Sequence, residues 1–159
     1  MSLMSLTWQF RQFRLSGPRV KAYVRFGAAG SGTIVMYPPK PPNELIATLG
    51  DLSRQGMNIP VLAVRTVNVG RMSIQVHGFS VEFPDGTSIS QRGNALDNEP
   101  FPFDLAAHSE KTWTIPLEQV IDFARAGTEV MKSDDFSKVR MVVKLVGDAE
   151  ARSDWLALT

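Results

Sequence analysis

The chain of 159 residues contains no cysteine. That excludes a disulfide scaffold, a thiolate zinc site and a cysteine nucleophile. Histidine is nearly as scarce: His77 and His108 stand alone, at no metal-like spacing. The expectation is no metal and no cofactor. Long apolar runs are missing too, and nothing approaches the roughly 20 residues of a membrane-spanning helix. The start does not read as a secretory leader, because Trp8-Gln-Phe-Arg-Gln-Phe-Arg14 is polar where an apolar stretch should sit. A cytoplasmic location is expected. Met1–Leu3 repeats in Met4–Leu6 and reads as an expression remnant before a native Met4.

Acid is absent from the first 43 residues, which carry Arg11, Arg14, Arg19, Lys21, Arg25 and Lys40. From Glu44 onward eleven basic residues face sixteen acidic ones, a net of −5. Such asymmetry suits a basic arm that meets an anionic surface. No block of five like charges occurs, so a basic hairpin packed on a mildly acidic body is the favoured reading.

Hydrophobic residues make up 43% and charged residues 21%, an ordinary globular balance. The length suits one domain, read here as residues 4–159, and it needs no staple to bury a core. Val20, Ala22, Val24 and Phe26 alternate with Lys21, Tyr23 and Arg25, the period of a half-buried strand. Gly27–Gly32 reads as a long glycine loop, and Thr33–Tyr37 as the return strand of a hairpin. The prolines at 38, 39, 41 and 42 end it. Asn43 is expected to cap a helix stopped by Gly56, with Leu45, Ile46, Leu49 and Leu52 on its apolar face.

From Pro60 onward the chain reads as mostly strand. Val61–Val67 is followed by a turn at Asn68-Val-Gly70, whose Asn and Gly tolerate positive φ. The apolar phase slips between Val76 and Phe79, which predicts a bulge near His77-Gly78. Asp85 and Gly86 form a tight turn, and Gln91–Pro102 reads as a loop. Lys111–Ile115 is a strand with Trp113 inward. A helix follows Pro116, with Leu117, Val120, Ile121 and Ala124 buried and Gly127 as its stop. Ser133–Asp135 marks a turn; Val139, Met141, Val143 and Leu145 alternate as a strand; Gly147 turns the chain; Ala151–Leu156 closes it. About eight strands and two short helices predict a mostly β protein, an antiparallel sandwich rather than a set of βαβ units.

Several of these segments carry a resemblance. Leu62–Asn68 with Gly70-Arg71, Ser73–Val76, Phe83-Pro-Asp-Gly86, Phe101–Leu105 through Ser109, and Gly147–Ser153 together resemble a group of uncharacterised bacterial proteins with an immunoglobulin-like β-sandwich domain. The likeness covers residues 61–156. It implies an immunoglobulin-like sandwich core over that span and says nothing of activity. Relatives often carry a membrane-spanning N-terminus, which is not expected here, and Met72 stands where a proline is common. Residues 4–43 remain a separate basic segment and hairpin.

The chemical motifs fall short. Gly27-Ala-Ala-Gly-Ser-Gly32-Thr33 keeps the glycine spacing of a phosphate-binding loop, but Thr33 stands where its lysine must be and a strand follows instead of a helix. The serines show no nucleophile elbow. Asp134-Asp135 lacks the alternating oxygen ligands of a calcium loop.

What remains is an interaction role without catalysis, with a protein partner or self-association. The candidate partner-binding residues are Trp8, Phe10, Arg11, Phe13 and Arg14, where aromatics interleave with arginines, and Arg71. A phage or secretion-tube assembly component is the alternative. Weak binding of nucleic acid or another anionic surface by the basic N-terminus is a further one, with nucleic acid the less favoured partner because one short segment supplies no extended groove.

Overall fold

The computed structural model describes residues 7–9, 11–12, 17–91, 99–132 and 136–159. The protein is mostly β, built from two antiparallel sheets. The first has the order β2-β1-β3-β7, formed by β1 (Val20–Gly30), β2 (Thr33–Tyr37), β3 (Ile59–Asn68) and β7 (Glu110–Pro116). The second runs β10-β8-β4-β5, from β4 (Ile74–Glu82), β5 (Ser88–Gln91), β8 (Lys138–Leu145) and β10 (Leu156–Ala157). β6 (Phe103–Leu105) adds to β4, and β9 (Glu150–Arg152) adds to β8. Among the described residues, helices α1 (Pro42–Arg54) and α2 (Leu117–Met131) complete the frame, residues 7–9 and 11–12 are also helical, and Val146–Asp148 form a short 3-10 helix.

One core lies between the sheets. Val24, Phe26, Leu62, Val64, Trp113 and Ile115 come from the first sheet; Val76, Phe79, Val81, Val139, Met141 and Val143 come from the second. Each set follows a period of two along its strands, except where the phase of β4 shifts between Val76 and Phe79, so one face of each sheet is apolar and the faces meet. Leu117, Val120 and Ala124 of α2 close one margin, at helical spacing. Ile121, expected on that stripe, is exposed instead.

The boundary expected at residue 61 does not separate hairpin from core. β1 is an interior strand, paired with β3 from Val20↔Asn68 to Ala29↔Ile59. Ala22, Val24 and Phe26 therefore belong to the same core as the later strands.

The long glycine loop is also corrected. β1 runs on to Gly30, and only Ser31 and Gly32 turn the hairpin, both at positive φ (50° and 76°). That is the pattern of a type I′ turn, whose twist matches the flanking strands. The glycines before it serve close approach. A Cβ on Gly27 would stand 1.7 Å from the Val35 carbonyl oxygen, and one on Gly30 would stand 2.5 Å from the Gly56 oxygen. Gly27→Ala must push β2 away from β1. We expect it to cost about 1–3 kcal/mol, as overpacking does, and to lower the melting temperature by about 2–4 °C per kcal/mol. Thermal unfolding followed by circular dichroism measures this; Gly32, with open space around it, is the contrasting site, strained only through its backbone.

Other expectations shift by one physical step. Asn43 does not cap α1: the cap position is Pro41, with Pro42 in the first turn, where a missing N–H costs nothing. Gly56 does end the segment, at φ +85°. Gly127 does not stop its helix, which continues to Met131 and ends at the left-handed Lys132. Gly127 is there because a Cβ would lie 2.5 Å from the Phe136 ring. The bulge at His77 is present, as a register shift between Val76↔Leu145 and Gly78↔Lys144. The Asp85-Gly86 turn is also found. Asp85 accepts from the Thr87 N–H (2.8 Å) and hydroxyl (2.7 Å), and Gly86 takes φ +88°. Gly147 turns at φ +74°. The Ser133–Asp135 turn and most of the Gln91–Pro102 loop lie outside the described residues.

Candidate interaction surface

The alternation of β1 that buries Val24 turns Lys21, Tyr23 and Arg25 to the opposite face of the first sheet. The register then sets their neighbours. Tyr23 lies opposite Arg65 on β3, and Arg65 lies opposite Thr112 on β7. The guanidinium carbons of Arg25 and Arg65 each stand 5.9 Å from the centre of the Tyr23 ring. A cation at that distance from an aromatic ring is attracted by its quadrupole. Arg65 is also held from the other side, donating through Nε (2.9 Å) and Nη2 to Glu110. Tyr23 is 38% exposed, so the group faces solvent. Lys21, Arg25 and Arg65 against Glu110 leave it with an excess of two positive charges.

The end of this strand pair is tied by Asn68. Its side chain is wholly buried. Its Nδ2 donates to the carbonyls of Met72 (2.8 Å) and Leu105 (3.1 Å), and its Oδ1 accepts from the N–H of Gly70 (3.0 Å) and of Arg19 (3.4 Å). One amide thus uses both donors and both acceptor sites, and joins the segments at 19, 70–72 and 105. Neither Asn68 nor Gly70 has positive φ, which corrects the reason expected for them. Gly70 is required because a Cβ would come within 2.4 Å of the Gly17 oxygen and 2.5 Å of the Arg19 nitrogen. Asn68 forms its turn through its side chain instead, whose Oδ1 accepts from the Gly70 N–H.

Of the sequence candidates, Arg71 lies on the loop that Asn68 pins, exposed and in no ion pair among the described residues. Trp8 and Arg11 are helical and exposed, Trp8 at 64%. Phe10, Phe13 and Arg14 lie outside the described residues. The sequence places Lys21, Tyr23 and Arg25 on one face but does not single out the Tyr23 group as a site. Its fourth member, Arg65, comes from β3, and only the strand register brings it there.

A second exposed group sits on the other sheet. Trp155 receives Arg140 (4.6 Å) and Lys138 (5.2 Å) over its ring, and Arg140 pairs with Glu82 at 2.8 Å. Near the β4 bulge a groove of about 360 Å³ is lined by His77, Ser90, Lys144, Asp148 and Glu150. Three of its polar side chains, His77, Lys144 and Glu150, have side-chain partners. His77 Nε2 lies 2.8 Å from Gln75 Oε1, and Glu150 accepts from Lys144 and from Arg152 (2.9 Å). The hydrogen bond from Lys144 holds the Glu150 carboxyl below the ordinary glutamate range, with Arg152 adding to it and burial opposing. The charged form of Glu150 thus favours the folded state above the ordinary glutamate value, and that contribution fades as pH falls through the lowered one. His77 and His108 are both exposed. Among the described residues no group of three or more His, Cys, Asp or Glu is placed to hold a metal, and no helix is long and apolar enough to cross a membrane.

No protein-family model matches the chain, and neither a curated protein nor a solved structure matches it.

Proposed function

We propose that the chain is a non-catalytic protein-interaction module on an immunoglobulin-like sandwich, and that it binds an acidic protein surface through Lys21, Tyr23, Arg25 and Arg65. The strand order supports the fold reading. On this reading β1, β3 and β7 correspond to strands A, B and E, and β5, β4, β8 and β9 to C′, C, F and G, with β2 an added edge strand, which the observed order of strands allows. The observation that carries the functional reading is the exposed Tyr23 ring flanked by two guanidinium groups on a rigid sheet face. Aromatic and arginine side chains are the usual anchors of protein interfaces, and the basic excess selects an acidic partner and speeds encounter with it.

The test is photo-cross-linking in the cell of origin, with the reactive residue placed at Tyr23 and, as a control, at Thr87 on the opposite sheet's turn. A discrete acidic protein captured from Tyr23 and not from Thr87, with binding weakened at least tenfold by Arg25→Glu, is the expected result. No product beyond the Thr87 control, or a captured partner indifferent to Arg25→Glu, would overturn the reading. Recovery of nucleic acid, with affinity that collapses as salt rises, would replace it by the anionic-polymer alternative.

A further inference from the structure

We propose that β2 is a self-complementary edge through which two copies of this chain join their first sheets into one continuous eight-stranded sheet. β2 ends the sheet order, with β1 on one side and no strand on the other among the described residues. Its sequence, Thr33-Ile-Val-Met-Tyr37, has no charge, no proline and no glycine. Natural edge strands are normally blunted by charge, proline, bulges, shortness or a cover. The other edges of this fold have such devices. β7 carries Glu110 and Lys111, ends in Pro116, and is flanked by Glu99, which takes the Lys111 ion pair and the Trp113 indole N–H. β6 and β9 have three residues each and β10 has two. β5, with four, is likewise uncharged, but it is shorter than β2.

The backbone of β2 is in the right phase for this pairing. The two-residue turn at Ser31-Gly32 makes Gly30↔Thr33 a hydrogen-bonded pair, and such pairs alternate along an antiparallel ladder. Ala28↔Val35 and Phe26↔Tyr37 are then hydrogen-bonded too, so Thr33, Val35 and Tyr37 direct their N–H and C=O toward β1. A separate observation agrees: the Val35 carbonyl points at β1, into the space a Gly27 Cβ would take. Ile34 and Met36 therefore direct theirs outward, giving two donors and two acceptors that no strand among the described residues engages.

A twofold axis through Val35 sets Ile34 opposite the Met36 of the second copy, and Met36 opposite its Ile34. Both members of each pair face outward, so four hydrogen bonds form and none of these groups is left over. The side chains of Ile34, exposed in the single chain, and Met36 meet on one face. This is an isologous contact: once made, it consumes both edges and stops at the dimer. Five paired residues place it among small, transient interfaces.

Sedimentation velocity of the full chain over about a hundredfold range of concentration reads the association. A monomer–dimer equilibrium is expected. Met36→Pro removes one outward N–H on each copy and leaves the ladder to β1 intact, since proline is tolerated where the N–H of an edge strand faces solvent. It should weaken dimerisation at least tenfold while the circular dichroism spectrum stays unchanged. Ile34→Lys supplies a second variant with an intact backbone and the same expected loss. Hydrogen exchange adds a readout in the unaltered protein: the Ile34 and Met36 amides exchange quickly in dilute solution and become protected as concentration rises, whereas Val35 is protected throughout. A strict monomer over the whole range, species larger than a dimer, or a dimer that leaves the Ile34 and Met36 amides unprotected would overturn the inference. Loss of partner capture at Tyr23 would not affect it, because the dimer contact is made by the backbone edge of β2, whereas the Tyr23 group is carried by β1 and β3.

Discussion

Trp113→Ala is expected to lower the unfolding free energy by about 3–5 kcal/mol, the range for emptying a buried aromatic site. Trp113 is wholly buried on the inner face of β7, an edge strand of the first sheet. Its ring lies 5.0 Å from Phe101 and 5.5 Å from Phe103, centre to centre, and Phe101 in turn meets Phe79 of the second sheet at 6.1 Å. The indole is thus the piece through which the segment at 101–103 is seated on both sheets. Its N–H also donates to the Glu99 carbonyl at 3.2 Å, so truncation removes that partner as well. Because a domain of this kind has about 5–15 kcal/mol in total, the variant should lose a third or more of its stability. Urea titration with an unchanged m-value is the measurement. Trp113→Phe keeps part of the ring packing and loses the N–H, so its loss should be smaller. Equal losses in the two variants would show that the hydrogen bond, rather than the ring volume, dominates.

The inward direction of Trp113 was legible because Lys111–Ile115 alternates on its own. The same holds for β8, where Val139, Met141, Val143 and Leu145 are all buried as their period of two requires. The phase slip at His77 was legible for a related reason: a bulge changes the parity of the apolar positions, and that change is written in the chain. What sequence could not show is who sits beside whom. Gly27 and Gly30 read as loop formers because glycine most often breaks a strand. Here each makes room for a carbonyl oxygen supplied by another segment. Gly127 read as a stop for the same reason, and its partner is the Phe136 ring. The Tyr23 surface is the functional counterpart. Its face was visible in the β1 alternation, but the pairing Tyr23↔Arg65↔Thr112 depends on two long-range registers. The short strands β6, β9 and β10 have two or three residues each, too few for any period to emerge.

Asn68→Asp should be about as damaging as the loss of Trp113, though the side chain keeps its size. Two of the four hydrogen bonds of Asn68 are donated by Nδ2, to Met72 and Leu105. A carboxylate has no N–H there and would set an oxygen against two carbonyl oxygens in a site without solvent. The cost expected is about 3–5 kcal/mol, since an unpaired buried charge adds to the lost bonds. The substituted carboxyl would relieve this by holding a proton, so its folded-state pKa should rise above the ordinary aspartate value. The sign follows: the penalty is smallest at low pH, below the unfolded value, and grows as pH rises through the raised folded one. Asn68→Ala loses all four bonds but carries no charge, so its deficit should be the same at pH 4 and pH 7. Urea titrations of both variants at the two pH values separate the terms. If the Asp variant shows no relative recovery at pH 4, the amide is not the buried donor described here. If both variants are nearly neutral, Asn68 does not tie the three loops together, and the seat of Arg71 and of the Arg19 end of β1 must be set by the close contact at Gly70 alone.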